Sequence, residues 1–231
     1  MSTLLLRFAA PLQAWGSSSR FSVRTTEHEP TKSGVIGLIA AAMGRKRDEA
    51  IDDLLDVRFG VRIDQAGRVM RDFHTARSLS GEAFVSDRYY LADALFVVGL
   101  EADDVLLDKI DTAVRSPVFP IYLGRRSCPP SGPISLGVKR GLCLEDALKD
   151  TEVAPWQAGI WYQKRQAREV HLETVIDADP SEKGAFLRAD APISFDQSYR
   201  RYGYRSVVSR IDAVLVTNPL GRDVHDPMEV F

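Results

Sequence analysis

Three groups of residues in this 231-residue chain have the types and spacing to handle a phosphate or a polyanion. The first is Pro30-Thr31-Lys32-Ser33-Gly34, which opens an apolar run to Met43 and follows Arg24 at short range. A capped helix start offers N–H groups and the positive dipole end, so with Lys32, Ser33 and Arg24 the natural guest is a phosphate. The same residues equally suit a core helix with a good cap and no ligand. A nucleotide P-loop fits poorly, since no glycine run precedes Lys32. The second group is Arg125-Arg126-Ser127, in a proline-bounded stretch free of acids. Guanidinium grips phosphate bidentately, although adjacent arginines also make ordinary solvated faces. The third is Arg71-Asp72-Phe73-His74, where the imidazole close to Asp72 is either a general base or a packed, hydrogen-bonding group. Gln13 carries an amide able to read a base edge and Trp15 a ring able to stack on a base, but the first also suits a solvated turn and the second a core.

Those residues need a folded frame, and the composition supplies one. The chain is 45% apolar and 27% charged, which is ordinary for a soluble globular protein. No run reaches the ~18 apolar residues of a membrane span, and no secretory leader is recognisable, so the expected compartment is the cytoplasm with no membrane partner. Two cysteines, Cys128 and Cys143, and four scattered histidines write neither a disulfide framework nor a metal site. No metal and no cofactor are expected. A net charge of −2 conceals a patchy distribution. Residues 1–26 hold Arg7, Arg20 and Arg24 without an acid, and 112–144 hold Arg115, Arg125, Arg126, Lys139 and Arg140 without one. A third window, 197–211, interleaves Arg200, Arg201, Arg205 and Arg210 with Tyr199, Tyr202 and Tyr204. On chemistry alone that pattern suits nucleic acid, and a tyrosine-rich strand edge explains it equally well.

In chain order, residues 3–9 read as a buried strand, 16–29 as a loop, and about 33–43 as a helix apolar on every side, with Gly44 placed for the left-handed C′ position. A short helix at 49–55 precedes a strand in which Val57, Phe59, Val61 and Ile63 point inward and Arg58 and Arg62 outward. Residues 64–90 read as an enlarged hairpin region, 95–100 as a central strand, 101–114 as an amphipathic helix with an acidic face, and 134–138 as another strand. The order is βαββαβ, the ferredoxin-like or RNA-recognition-motif-like arrangement, in an α+β chain. The N-terminal domain is expected to span 1–140. A smaller β-rich region, 141–231, is expected to hold a helix near 145–149 and strands at 160–162, 169–175 and 207–216.

Taken together, Pro11-Leu12-Gln13-Ala14-Trp15-Gly16, Pro30-Thr31-Lys32-Ser33-Gly34 with Gly37-Leu38 and Gly44, Arg71-Asp72-Phe73-His74-Thr75, Tyr90-Leu91-Ala92-Asp93-Ala94 and Tyr122-Leu123-Gly124-Arg125-Arg126-Ser127-Cys128-Pro129 resemble the CasD family. CasD is the subunit of the type I-E CRISPR complex Cascade that holds the 5′ handle of the CRISPR RNA (crRNA). The resemblance covers most of residues 3–135 and is thin beyond Gly141. It implies a non-catalytic subunit of an antiviral ribonucleoprotein complex that caps a filament of CasC backbone subunits, contacts the large CasA subunit, and meets target DNA only through the guide duplex. It makes the enlarged hairpin the family's thumb, with Arg77 and Arg88 able to touch RNA or the neighbouring protein. The RNA-binding set it implies is Gln13, Trp15, Arg24, Lys32, Ser33, His74, Arg77, Arg88, Arg125, Arg126 and Ser127. The alternative is a metal-independent endoribonuclease that processes the CRISPR repeat, as in type I-C relatives, with His74 the only histidine in the matched motifs.

Overall fold

A computed structural model of the chain describes residues 1–16, 23–196 and 201–222. Arg20, Tyr199 and Arg200 lie outside the described residues. The first apolar run forms β1 (Ser2–Ala9), followed by two short strands, β2 (Leu12–Gln13) and β3 (Val23–Arg24). The helix α1 (Lys32–Ala42) starts where the Thr31 hydroxyl accepts from the Gly34 N–H at 3.3 Å. It stops because Gly44 takes φ +80°, which lets the Gly44 N–H reach Ala41 O at 3.0 Å and the Arg45 N–H reach Ala40 O at 2.9 Å. That pair of bonds satisfies the last carbonyls and is easily formed only with glycine at the left-handed position.

After the single turn α2 (Asp52–Leu55) come β4 (Arg58–Gln65), the long hairpin β5 (Arg68–Arg77) and β6 (Ala83–Ala92), then β7 (Leu95–Ala102), α3 (Asp104–Arg115) and β8 (Ser135–Lys139). Strands β4, β7, β1 and β8 lie side by side in that order, every pair antiparallel. Together with α1 and α3 on one face they make the ferredoxin-like arrangement. Leu4, Leu6 and Phe8 pack toward these helices, while Leu5 and Val97 point to the other face.

That other face is covered as well. The chain continues through α4 (Leu144–Lys149), α5 (Ile160–Gln163), β9 (Glu169–Asp177), β10 (Phe186–Ser194) and β11 (Arg201–Thr217). Leu144, Ala147, Leu148 and Ala154 bury Leu5 and Val97, and β9 pairs with β4, so the late strands extend the same sheet in the order β10-β11-β9-β4. Three expectations are corrected here. Arg62 does not point into solvent, because α4 and the segment after it lie over it. It is fully buried, bonds Asp64 at 2.6 and 3.0 Å, and donates to Leu148 O and Pro155 O. Residues 160–162 are the helical turn α5 and not a strand, since three apolar residues after Gly159 carry no period long enough to decide. Strand β10 was not anticipated, because Pro192 interrupts its pattern; it is tolerated there because β10 is the edge of the sheet.

Candidate nucleic-acid interface

The sharp end of α1 and the loop after α3 build a cleft between them. Beyond Gly44 the chain turns away with Arg45, Lys46 and Arg47 on its surface. The proline-rich loop is tied to the helix end by Val118 N–H to Ala42 O at 2.9 Å and Phe119 N–H to Ala41 O at 3.3 Å. Its tip is tied to β2 by Ala14 N–H to Leu123 O at 3.1 Å, and closed on itself by Leu123 N–H to Cys128 O at 2.8 Å. Gly124 makes this docking possible: it has φ +89°, and a Cβ there would lie 1.6 Å from the Ala14 carbonyl oxygen. The next residues, Arg125 and Arg126, are thus presented by a rigid loop.

The cleft has a volume of about 1440 Å³, and Arg24, Arg45, Lys46, Arg47, Arg125 and Arg126 line it with Asp48 as the one acid among the lining residues. Arg45 is neutralised by Asp53, both bonds being 2.5 Å. Among the described residues Arg24, Lys46, Arg47 and Arg126 make no ion pair. Half-exposed rings of Phe119 and Tyr202 stand in the same wall, with Tyr122 beside them. Unpaired cations next to accessible rings are what a single strand of nucleic acid needs, since backbone charge and base stacking supply its affinity.

Arg125 joins the cleft to the root of the hairpin. Its guanidinium lies 4.5 Å from the Tyr90 ring centroid and donates to Arg24 O at 3.0 Å. Burial acts to raise the Tyr90 phenol, but hydrogen bonds from Arg125 and Ser127 and the charge of Arg125 outweigh it, holding the group below its ordinary range. Arg125 Nη1 and Arg88 Nε are buried with no acceptor among the described residues. Buried donors of this kind are costly to leave unmade and mark a place for an added acceptor. Strand β3 pairs with β6 here, setting Arg24 beside Arg88, and Arg88 Nη2 lies 3.2 Å from His74 Nδ1. By strand alternation His74, Arg88 and Tyr90 share the face of the hairpin that meets Arg125, whereas Arg77 lies on the opposite face with Phe73 and Val85.

The structure therefore gathers Arg24, Ser33, Arg88, Arg125, Arg126, Ser127 and His74 along one path, and it leaves Arg77 off that path. It corrects three of the expected contacts. Gln13 is fully buried and spent: its Nε2 donates to Ala94 O at 2.8 Å and to Phe8 O, and its Oε1 accepts from Trp15 Nε1 at 3.1 Å. Trp15 is 1% exposed and stacked on Phe8 with centroids 5.5 Å apart, so no ring face is left for a base. Lys32 is buried against Asp177 at 3.0 Å, and its N–H donates to Asp190 Oδ2 at 2.9 Å. The anion at the helix start is the protein's own carboxylate. Sequence reasoning passed over Lys46 and Arg47, for which the signal was three adjacent cationic residues directly after a C′ glycine.

The chain is also similar to known proteins. Residues 3–208 match the family model described as CRISPR-associated protein (Cas_Cas5). The chain is 34% identical over 201 residues to the CRISPR system Cascade subunit CasD of Escherichia coli (strain K12), covering 78% of this chain and 88% of that one. It is similar to a chain of a CRISPR RNA-guided surveillance complex, with TM-score 0.74, 28% identity and coverage of 98% and 96%. A crystal structure of a Cas protein matches at TM-score 0.63 and 33% identity, covering 96% and 98%.

The loop that presents the arginines gives a direct test. Gly124→Ala is expected to unseat it from Ala14, adding backbone strain of about 1–3 kcal/mol to the clash. Hydrogen exchange should show lost protection at the Ala14 and Leu123 amides. Gly132→Ala, at φ +92° but with open space around the added methyl, is the control and should leave those amides protected.

Proposed function

This chain belongs to the Cas5 family of CRISPR-associated proteins, and on that premise we propose that it is a non-catalytic, CasD-type subunit of a Cascade surveillance complex in antiviral defence. In this reading it binds the 5′ handle of crRNA in the basic cleft and caps the filament of CasC subunits. It also contacts the large CasA subunit and meets target DNA through the guide duplex. The observation that carries the reading is the set of unpaired cations, Arg24, Lys46, Arg47 and Arg126, fixed around one cleft beside accessible rings. The hairpin is the thumb. Phe73 is 70% exposed and Val85 and Val69 are also open on the face away from Arg125, a surface suited to a neighbouring protein. A ribonucleoprotein subunit of this kind works in the cytoplasm, and no helix among the described residues is long and apolar enough to cross a membrane.

The absence of catalysis is supported by how His74 is held. Guanidinium only donates, so Arg88 fixes His74 Nδ1 as the acceptor and places the ring proton on the outward Nε2. A nitrogen already carrying its proton cannot take one from a ribose hydroxyl, and the nitrogen that could is occupied by a cation.

Three measurements examine this proposal. Arg125→Ala with Arg126→Ala should weaken handle binding by about 1.5–3 kcal/mol per charged contact and flatten the salt dependence of affinity. An unchanged salt slope would place the phosphates elsewhere. Replacing residues 74–86 with Asn-Gly keeps the pairing of the hairpin root, and it should leave the fold intact while blocking entry into the complex; normal incorporation would refute the thumb assignment. Purified protein incubated with precursor crRNA is expected to yield no product with or without magnesium. Specific cleavage lost in His74→Ala would move the chain to the nuclease class.

A further inference from the structure

The cleft does not account for a second cationic and aromatic surface, which lies on the opposite side of the sheet. From Val153 to Arg168 the chain has no acid, and it carries Trp156, Trp161, Tyr162, Lys164, Arg165 and Arg168. The segment is held firmly in place. Asp64 accepts from Gln157 N–H and, through its carbonyl, from Trp156 Nε1, each at 2.7 Å. Gln65 Oε1 accepts from Gly159 N–H at 3.0 Å, and Asn218 Nδ2 donates to Gln163 O and Ala167 O at 2.8 and 3.0 Å. These bonds fix α5 beside the end of β4, next to the root of the thumb and on the face covered by α4. Its exposed side chains are consequently presented by an ordered backbone.

We propose that this surface is a second binding site for single-stranded nucleic acid, with Trp161 as its stacking platform. Trp161 is 50% exposed despite its size, and the Arg165 guanidinium lies 5.4 Å from its ring centroid. Tyr162 meets the ring edge-on at 6.0 Å. A ring backed by a cation is prepared to take a base on its open part, and Arg165 and Lys164 make no ion pair among the described residues. Arg222 adds another positive side chain, its Nε donating to Lys164 O at 3.2 Å. The nearest acid along the sequence is Glu169, which opens β9 beyond the patch. Charge decides between partner classes. Exposed Ile160 and Trp161 would also serve a protein contact, but Lys164 and Arg165, which make no ion pair among the described residues and belong to a stretch of sequence free of acids from Val153 to Arg168, favour a phosphate backbone. Neither ring stacking nor phosphate contact reads the sugar, so DNA and RNA strands share the chemistry of this site.

The experiment uses the whole chain carrying Arg24→Ala, Lys46→Ala, Arg47→Ala, Arg125→Ala and Arg126→Ala, which removes the cations of the cleft other than the Asp53-paired Arg45, and short labelled oligo-dT and oligo-U strands at low salt. Saturable binding of one or both is expected, with quenching of tryptophan emission, because Trp15 is buried and Trp156 half-buried while Trp161 is open. Trp161→Ala should weaken binding by about tenfold, Trp161→Phe should restore most of it, and Lys164→Glu with Arg165→Glu should weaken it further and reduce the salt slope by about two. A preference for one strand would identify which nucleic acid the site serves. Handle RNA should still bind the cleft of a Lys164→Glu, Arg165→Glu protein whose Arg125 and Arg126 are intact, which separates failure of this site from failure of the cleft. Absence of binding in the cleft variant, or binding unaffected by the charge reversals, overturns the proposal. So does a charge-reversed protein that holds oligonucleotide normally but drops out of the assembled complex, which would make the patch a protein interface.

Discussion

Two carboxylates, Asp177 and Asp190, hold the early and late parts of the chain together. Asp190 on β10 accepts from the Lys32 N–H at the start of α1, and Asp177 at the end of β9 accepts from Lys32 Nζ and from the Phe59 N–H at 3.0 Å. Arg205 on β11 joins both, at 2.5 Å to Asp177 and 2.6 and 2.9 Å to Asp190, with its guanidinium 5.0 Å from the Phe59 ring centroid. Arg188 on β10 adds an ion pair to buried Glu29 just before the helix. Burial pushes the Glu29 carboxyl up, against the pull of Arg188. The sheet extension is thereby locked onto the mouth of α1, where its polar groups also satisfy the first donors of the helix.

This lock determines where an RNA phosphate can go. For a phosphate to sit on the α1 N-terminus it would have to displace Asp190 and leave Arg205 buried with half its partners. Breaking one side of a buried pair costs about 3–5 kcal/mol, whereas a hydrogen bond to a charged group returns about 1.5–3. The carboxylate wins, and the dipole end that looks like an anion site is already filled. Cations without an ion pair are found instead at the other end of the helix, where the Gly44 turn releases Lys46 and Arg47 and the docked loop supplies Arg126 beside the Arg125 that holds Tyr90. The cleft thus runs beside α1 from Thr31 to Arg47, with its unpaired cations at the far end of the helix, at Arg24 and on the docked loop.

Much of the frame was legible in the sequence because it depends on local rules. Thr31 and Gly44 delimit α1 by capping and left-handed geometry, the alternation at 57–63 marks a strand, and the acidic amphipathic stretch after Leu100 becomes α3 with Asp103 as its cap, accepting from Leu106 N–H at 2.9 Å. What failed depends on contacts distant in the chain. Arg62 looks solvent-facing until α4, more than eighty residues later, covers that face. Gln13 and Trp15 have the chemistry of base readers, and only the placement of Ala94 and Phe8 around them shows that their polar groups bond each other and the main chain. Lys32 is a plausible phosphate ligand until Asp177 arrives from β9. Arginines that stay unpaired cannot be told from those that find acids by residue type alone, and for this cleft that distinction decides which of them can act.

The thumb poses the remaining energetic question, because a two-stranded ribbon in water is marginal without a third strand or a packed face. Its root has both: β6 pairs with β2 and β3, and Tyr90 and Leu91 are buried, with Arg125 lying over the Tyr90 ring. Its outer part has neither, since β5 is exposed along its whole length and the ladder there is supported by the exposed Arg71–Asp87 pair, worth at most about 1 kcal/mol. The supported part of the ribbon is therefore the part that touches the cleft, and the outer part keeps Phe73, Phe84, Val85 and Leu79 in water at a cost that a covering surface would recover. In the proposed assembly one loop of arginines sets the geometry at the root while the neighbouring subunit completes the tip.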